Sequence, residues 1–121
     1  MRSKNKILMD FLLSRRSVPA KTLIEPAPDE ANLENILKAA ARSPDHGKLV
    51  PWRFLILEKK LMPSIAKKIL EIGTLSAIDP EKLHRNANIF LNSPLIVTVV
   101  SSPNSIERIP LIEQHLSAGA V

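Results

Sequence analysis

Two short stretches of this 121-residue chain collect the side chains that could do chemistry. The first is Arg15-Arg16-Ser17, two guanidinium forks beside a hydroxyl. A guanidinium grips a phosphate through two parallel N–H bonds, and a serine hydroxyl adds a further donor. The same two cations also suit the negative end of a helix, so a basic helix cap and an anion site are both open. The second stretch runs from Arg42 to Trp52 and contains Asp45, His46, Lys48 and the only tryptophan. Pro44 and Pro51 stiffen it, and Gly47 supplies one permissive backbone position. A loop this rich in polar donors, held between regular elements, is a candidate ligand cradle. The plainer reading makes Arg42 a helix-terminal cation, His46 a half-exposed loop histidine and Trp52 a core or interface anchor.

Much other chemistry is excluded by what the chain lacks. Without cysteine there are no disulfides, thiolate metal sites or thiol nucleophiles. His84 and His115 fall in no metal-binding spacing, so no metal ligand is assigned. Ser17, His46 and Asp45 have the composition of a hydrolytic triad, but an adjacent Asp-His pair rarely orients as base and orienter, and no G-x-S-x-G elbow occurs. With only three glycines, neither the dinucleotide fingerprint nor the P-loop is present, so a bound phosphate must be held by arginines. The net charge of +5 admits a nucleic acid, a membrane surface or an anionic cofactor. The basic pairs Arg15-Arg16, Lys59-Lys60 and Lys67-Lys68 are scattered, and aromatics make up only 3%, which leaves single-strand stacking platforms missing. A non-catalytic basic interaction or nucleic-acid-binding module therefore stands as the alternative reading, and the leading one has no nucleic-acid partner. No apolar run approaches the roughly 20 residues of a membrane span. Residues 7–13 are too short and interrupted for a signal segment. The chain reads as cytoplasmic, with no membrane partner.

The elements that position these groups follow from periodicity and punctuation. Residues 4–14 carry Leu8, Phe11 and Leu12 at helical spacing and should stop at Arg15-Arg16. Prolines 19, 26 and 28 then impose an extended connection. Asp29 is an N-cap for a second helix with Leu33, Ile36, Leu37 and Ala40 on one stripe, and Pro44 stops it by Ser43. The run Phe54 to Leu57 suits a buried strand. Pro63 opens a third helix with Ile65, Ile69 and Ile72 inward and Gly73 as terminator. Asp79-Pro80 starts a fourth, with Leu83, Ala87, Phe90 and Leu91 on one face. Residues 94–102, apolar on both faces, predict a central strand, and Pro103 and Pro110 bracket a polar loop. A last helix follows with Ile112, His115, Leu116 and Gly119 along its stripe and a small-residue face for close packing. It reaches Val121 with no cap, so the chain is expected to be an N-terminal piece of a longer protein.

Leu12-Leu-Ser-Arg-Arg-Ser17, the segment Ile36 to His46 containing Arg-Ser-Pro-Asp-His, and Pro51-Trp-Arg-Phe54 together resemble the nitroreductase family, nearest to its small NAD(P)H nitroreductase (YdjA-like) subgroup. Residues 94–100 and the Glu113-Gln-x-x-Ser-Ala-Gly119 helix fit the same template. The resemblance implies an α+β fold, an FMN-dependent nitroreductase-like three-layer sandwich with a mostly antiparallel central sheet. Residues 1–121 would form the N-terminal part of one such domain, incomplete at the C-terminus. It implies a homodimer with FMN at the interface, and an oxidoreductase that passes hydride from NADH or NADPH through the flavin to nitroaromatics, quinones or a similar small acceptor. Carried over by motif, Arg15, Arg16 and Ser17 would hold the flavin phosphate and ribityl region. Arg42 and His46 would meet the flavin from the helix end and loop, and Trp52 would help wall the interface. The chemistry would belong to the cofactor, so no catalytic side chain is named. Many relatives carry an amide residue where this chain has Val50, and asparagine is common where it has Lys48.

Overall fold

The apolar run at residues 54–57 lies within a longer strand, β1 (Trp52–Glu58), in a computed structural model that describes residues 5–105 and 108–121. Trp52, Phe54 and Ile56 turn to the more buried side while Arg53 and Leu55 are exposed, the period-two signature of a pleated strand. Its partner is β2 (Leu95–Ser101), paired antiparallel from Trp52 opposite Ser101 to Glu58 opposite Leu95. One further bond, Ser102 N–H to Pro51 C=O at 2.8 Å, prolongs the ladder past the strand ends. Sequence places β2 inside a sheet; among the described residues it pairs with β1 alone, and its other edge is open.

Between the strands runs an antiparallel helical hairpin, α3 (Met62–Leu75) and α4 (Pro80–Asn92), the most closely packed helix pair. Asp79 caps α4 as its sequence position demands, its carboxylate accepting from the Lys82 N–H at 2.8 Å. The buried stripe of α3 is Met62, Ala66 and Gly73; Ile65 and Ile69 are half-buried and Ile72 is exposed. Gly73 does not end this helix. It is where α4 approaches, because a β-carbon there would overlap the buried Leu83. The stop comes at Ala77, whose φ of +52° is left-handed. Ile78 N–H reaches Gly73 C=O at 3.0 Å and Ala77 N–H reaches Thr74 C=O at 3.2 Å, a Schellman cap with alanine where glycine is usual. At the open end of the hairpin Lys59 Nζ donates to Leu91 C=O at 3.2 Å. On the outer face of α3, Lys68 donates to Glu71 at 2.9 Å.

The remaining helices are α1 (Lys6–Ser14), α2 (Glu30–Ala40) and α5 (Leu111–Ala120). The expected helix start at Lys4, and part of the expected loop between Pro103 and Pro110, fall outside the described residues. Asp29 caps α2 through the Asn32 N–H at 2.8 Å. α5 packs on β2, but its buried residues are Gln114 and Ala118 rather than the apolar stripe expected from spacing. Ile112 and Leu116 face outward, and His115 is exposed with its Nδ1 2.9 Å from Ser101 Oγ. α1 and α2 bury no residue fully, so Ile7, Phe11 and Leu13 stay exposed. The chain has 9966 Å² of accessible surface against roughly 6,500 Å² for a folded monomer of 13.4 kDa. No helix of the described residues is long and apolar enough to cross a membrane.

Candidate functional site

The loop after α2 is built by Asp45. Its backbone is extended (φ −141°, ψ 102°), and its carboxylate accepts from Leu49 N–H at 3.2 Å and Val50 N–H at 2.8 Å. Bent back in this way, the chain makes a single 3-10 turn at His46–Lys48. Three residues in four are left-handed here: Gly47 at φ +76°, Lys48 at +54° and Val50 at +47°. Glycine tolerates that geometry, whereas a β-branched residue in it is a true outlier. Asparagine is the side-chain-bearing residue that tolerates it best. In this chain Asp45 holds the conformation in place of favourable residue types.

Two neighbours wall the loop. From α5, Glu113 Oε2 lies 2.7 Å from His46 Nδ1. Ser43 Oγ lies 3.0 Å from both Ala40 C=O and Ala120 C=O, and its single hydrogen can be given to either, so the loop reaches one late carbonyl of α5. From the segment after β2, Asn104 Nδ2 donates to Leu49 C=O at 3.0 Å. The buried Gln114 fixes Asn104: its Oε1 accepts the Asn104 N–H at 2.7 Å and its Nε2 donates to the Asn104 carbonyl at 3.0 Å. Ile109 closes the top, standing where a β-carbon on Gly47 would go. A recess of about 350 Å³ opens between the loop and α5, lined by Pro44, His46, Glu113, Leu116, Ser117 and Ala120. A larger groove of about 640 Å³ between α3 and α4 is lined by isoleucines and Leu83 together with Lys67, Lys68 and Glu71, and contains none of the sequence-derived site residues.

Arg42 and His46 thus share one loop, both exposed, and Trp52 is buried at its far end. Arg15, Arg16 and Ser17 sit elsewhere, on the exposed link that leaves α1. Arg15 Nη2 is 3.4 Å from Ser17 Oγ, a long and weak contact. No hydrogen bond or ion pair among the described residues joins this link to the Arg42–His46 loop. Every ion pair among the described residues uses lysine or histidine, which leaves the guanidinium groups of Arg15, Arg16 and Arg42 without a carboxylate. Sequence reasoning missed the supporting set of Asp45, Asn104, Glu113 and Gln114. Asp45 and the Glu-Gln pair were in view by position, but long-range partners are not encoded in spacing.

Comparison with known proteins converges on one group. The model described as Nitroreductase family matches residues 12–120. The protein named "Putative NAD(P)H nitroreductase YdjA" of Escherichia coli (strain K12) is 37% identical over 112 residues, covering 92% of this chain and 60% of that one. A "Putative NAD(P)H nitroreductase" of Haemophilus influenzae (strain ATCC 51907 / DSM 11121 / KW20 / Rd) is 34% identical over the same share of both. The chain spans 60% of the length of the curated relatives it matches.

Proposed function

Because the chain belongs to the nitroreductase family, we propose that it serves an FMN-dependent NAD(P)H oxidoreductase acting on nitroaromatics, quinones or similar small acceptors. The single observation that carries the cofactor reading is the donor set: Arg15, Arg16 and Arg42 have no carboxylate partner among the described residues, and Arg42 stands at the head of a polar loop held by its own hydrogen bonds. Such a set fits a phosphate monoester, which guanidinium forks bind bidentately. Arg15, Arg16 and Ser17 hold the phosphate and ribityl end, and Arg42 and His46 meet the flavin from the loop. FMN held there would supply the two-electron chemistry that links NADH or NADPH to the acceptor. The chain's own residues bind, orient and set local charge; none is assigned a proton.

The same reading includes a cytoplasmic homodimer. Its support is the surface excess of roughly 3,500 Å², concentrated in apolar side chains such as Ile7, Phe11 and Leu13 on α1 and Ile112 and Leu116 on α5. A second copy packed on part of these helices would bury apolar surface of the kind obligate dimers use. It would also offer a route by which the α1 link of one copy could meet the Arg42–His46 loop of the other.

The test compares FMN with riboflavin, which lacks the phosphate, by quenching of flavin fluorescence. Arg15→Ala and Arg16→Ala should each weaken FMN binding roughly 10- to 100-fold, the worth of a hydrogen bond to a charged group. Riboflavin affinity should not change in either variant. Equal losses for both ligands would refute the phosphate assignment, and NADH oxidation by protein stripped of all flavin would refute the cofactor.

A further inference from the structure

Glu113 has no role in the scheme above. It stands in the first turn of α5, where a carboxylate complements the positive end of the helix dipole. Its Oε2 lies 2.7 Å from His46 Nδ1. An ionised carboxylate only accepts hydrogen bonds, so this contact puts the hydrogen on Nδ1. Nε2, on the far side of the ring, meets no partner among the described residues. In the neutral ring it presents a lone pair, and in the protonated ring an N–H.

The backbone under this ring is held at two points. Ser43 meets the last turn of α5 and His46 its first, so the stretch runs antiparallel along the helix. Pro44 restricts it further, and the recess of about 350 Å³ lies alongside.

Building on the flavin reading, the geometry points to Glu113 as a positioning residue that selects which nitrogen of His46 faces the ligand. A stability role is the weaker account, because the paired side chains are 63% and 44% exposed and such pairs add little to folding. Choosing a tautomer needs only a small bias, and a carboxylate at 2.7 Å gives one in a fixed direction.

The experiment is nitrogen-resolved NMR of the His46 ring at alkaline pH, where imidazole is neutral, combined with FMN titration. Wild type should show the hydrogen on Nδ1. Glu113→Gln, whose amide can accept or donate, should give a mixture of tautomers with a thermal midpoint lowered by no more than about a few degrees, the loss of its charge at the helix start. FMN affinity should fall roughly twofold to fivefold, within what an exposed pair can supply. Glu113→Ala, which keeps a strong helix former, should release the ring fully. The inference is overturned if wild type already holds the hydrogen on Nε2, or if both variants leave the ring-nitrogen shifts unchanged. It is also overturned if FMN binds wild type and variants equally. Should wild type show the expected tautomer, Glu113→Gln lose it, and neither bind FMN, the Glu113 assignment stands and the flavin reading falls.

Discussion

Gly47→Ala tests the loop at its tightest point. A side-chain-bearing residue at the observed φ of +76° pays about 1–2 kcal/mol in backbone strain. The new β-carbon would also overlap Ile109 Cδ1, the flexible end of that side chain, with Ile109 Cγ1 and Leu49 Cδ2 next at 3.8 Å. Rotating Ile109 away costs about 0.5–1.5 kcal/mol, while the stiffer unfolded chain returns about 0.4–1 kcal/mol. The net loss is roughly 1–2.5 kcal/mol. The two causes separate in a double-mutant cycle, because Ile109→Val deletes the obstructing Cδ1 and little else. In that background Gly47→Ala should cost about 0.5–1.5 kcal/mol less, leaving the backbone part. Urea unfolding followed through the single buried tryptophan, Trp52, at one fixed protein concentration provides the readout. An equal cost in both backgrounds would show that Ile109 does not close over Gly47. A neutral Gly47→Ala would refute the left-handed turn itself.

Three further outcomes are expected. Gln114→Leu keeps the volume but strands the Asn104 backbone groups, and should cost about 2–4 kcal/mol by denaturant titration. The helical glycines should respond with opposite signs: Gly73→Ala overpacks against Leu83 and loses about 1–2 kcal/mol net of its gain in helix propensity. Gly119→Ala meets nothing within 4 Å and should raise thermal stability by about 0.5–1 kcal/mol in the monomer. On α3, the hydrogen bond from Lys68, and then its charge, hold Glu71 below the ordinary 4.5, while the same bond, and then the charge of Glu71, hold Lys68 above 10.5. Glu71's contribution is therefore full above its unfolded value and lost as pH falls through the lowered folded one. Lys68's is full below its unfolded value and lost as pH rises through the raised one. Chemical shifts of both side chains should be flat between those limits and move only outside them; a mid-range titration of either would contradict the pairing.

What the sequence disclosed divides along local and non-local lines. Asp29 and Asp79 announced their helices because an N-cap acts on an amide three residues away, inside the window that spacing can see. The first strand showed by its short apolar run and the second by its β-branched one. The α5 stripe went astray for the opposite reason: Ile112 and Leu116 have the right period, yet the buried side is Gln114 and Ala118. A glutamine is welcome inside only because Asn104 satisfies it, and that partner lies ten residues back across a loop. Gly73 was taken for a stop signal because helix ends and helix crossings both select glycine, and only the position of Leu83 tells them apart. At the site, Arg42 and His46 were legible as loop donors, while Glu113 and Asp45 gained meaning only once the loop's path was known.

The α3–α4 hairpin also sets an order of events. β1 and β2 are far apart in sequence, so pairing them directly would require closing a long, unstructured loop. The helical hairpin needs only neighbouring residues, and its folding brings Lys59 to Leu91, which delivers the two strands side by side. Local contact formation then precedes and accelerates the non-local one. Damage at Gly73 or Leu83 should therefore appear mainly as slower folding. Damage at Gly47, in a loop that settles after the strands have met, should appear mainly as faster unfolding.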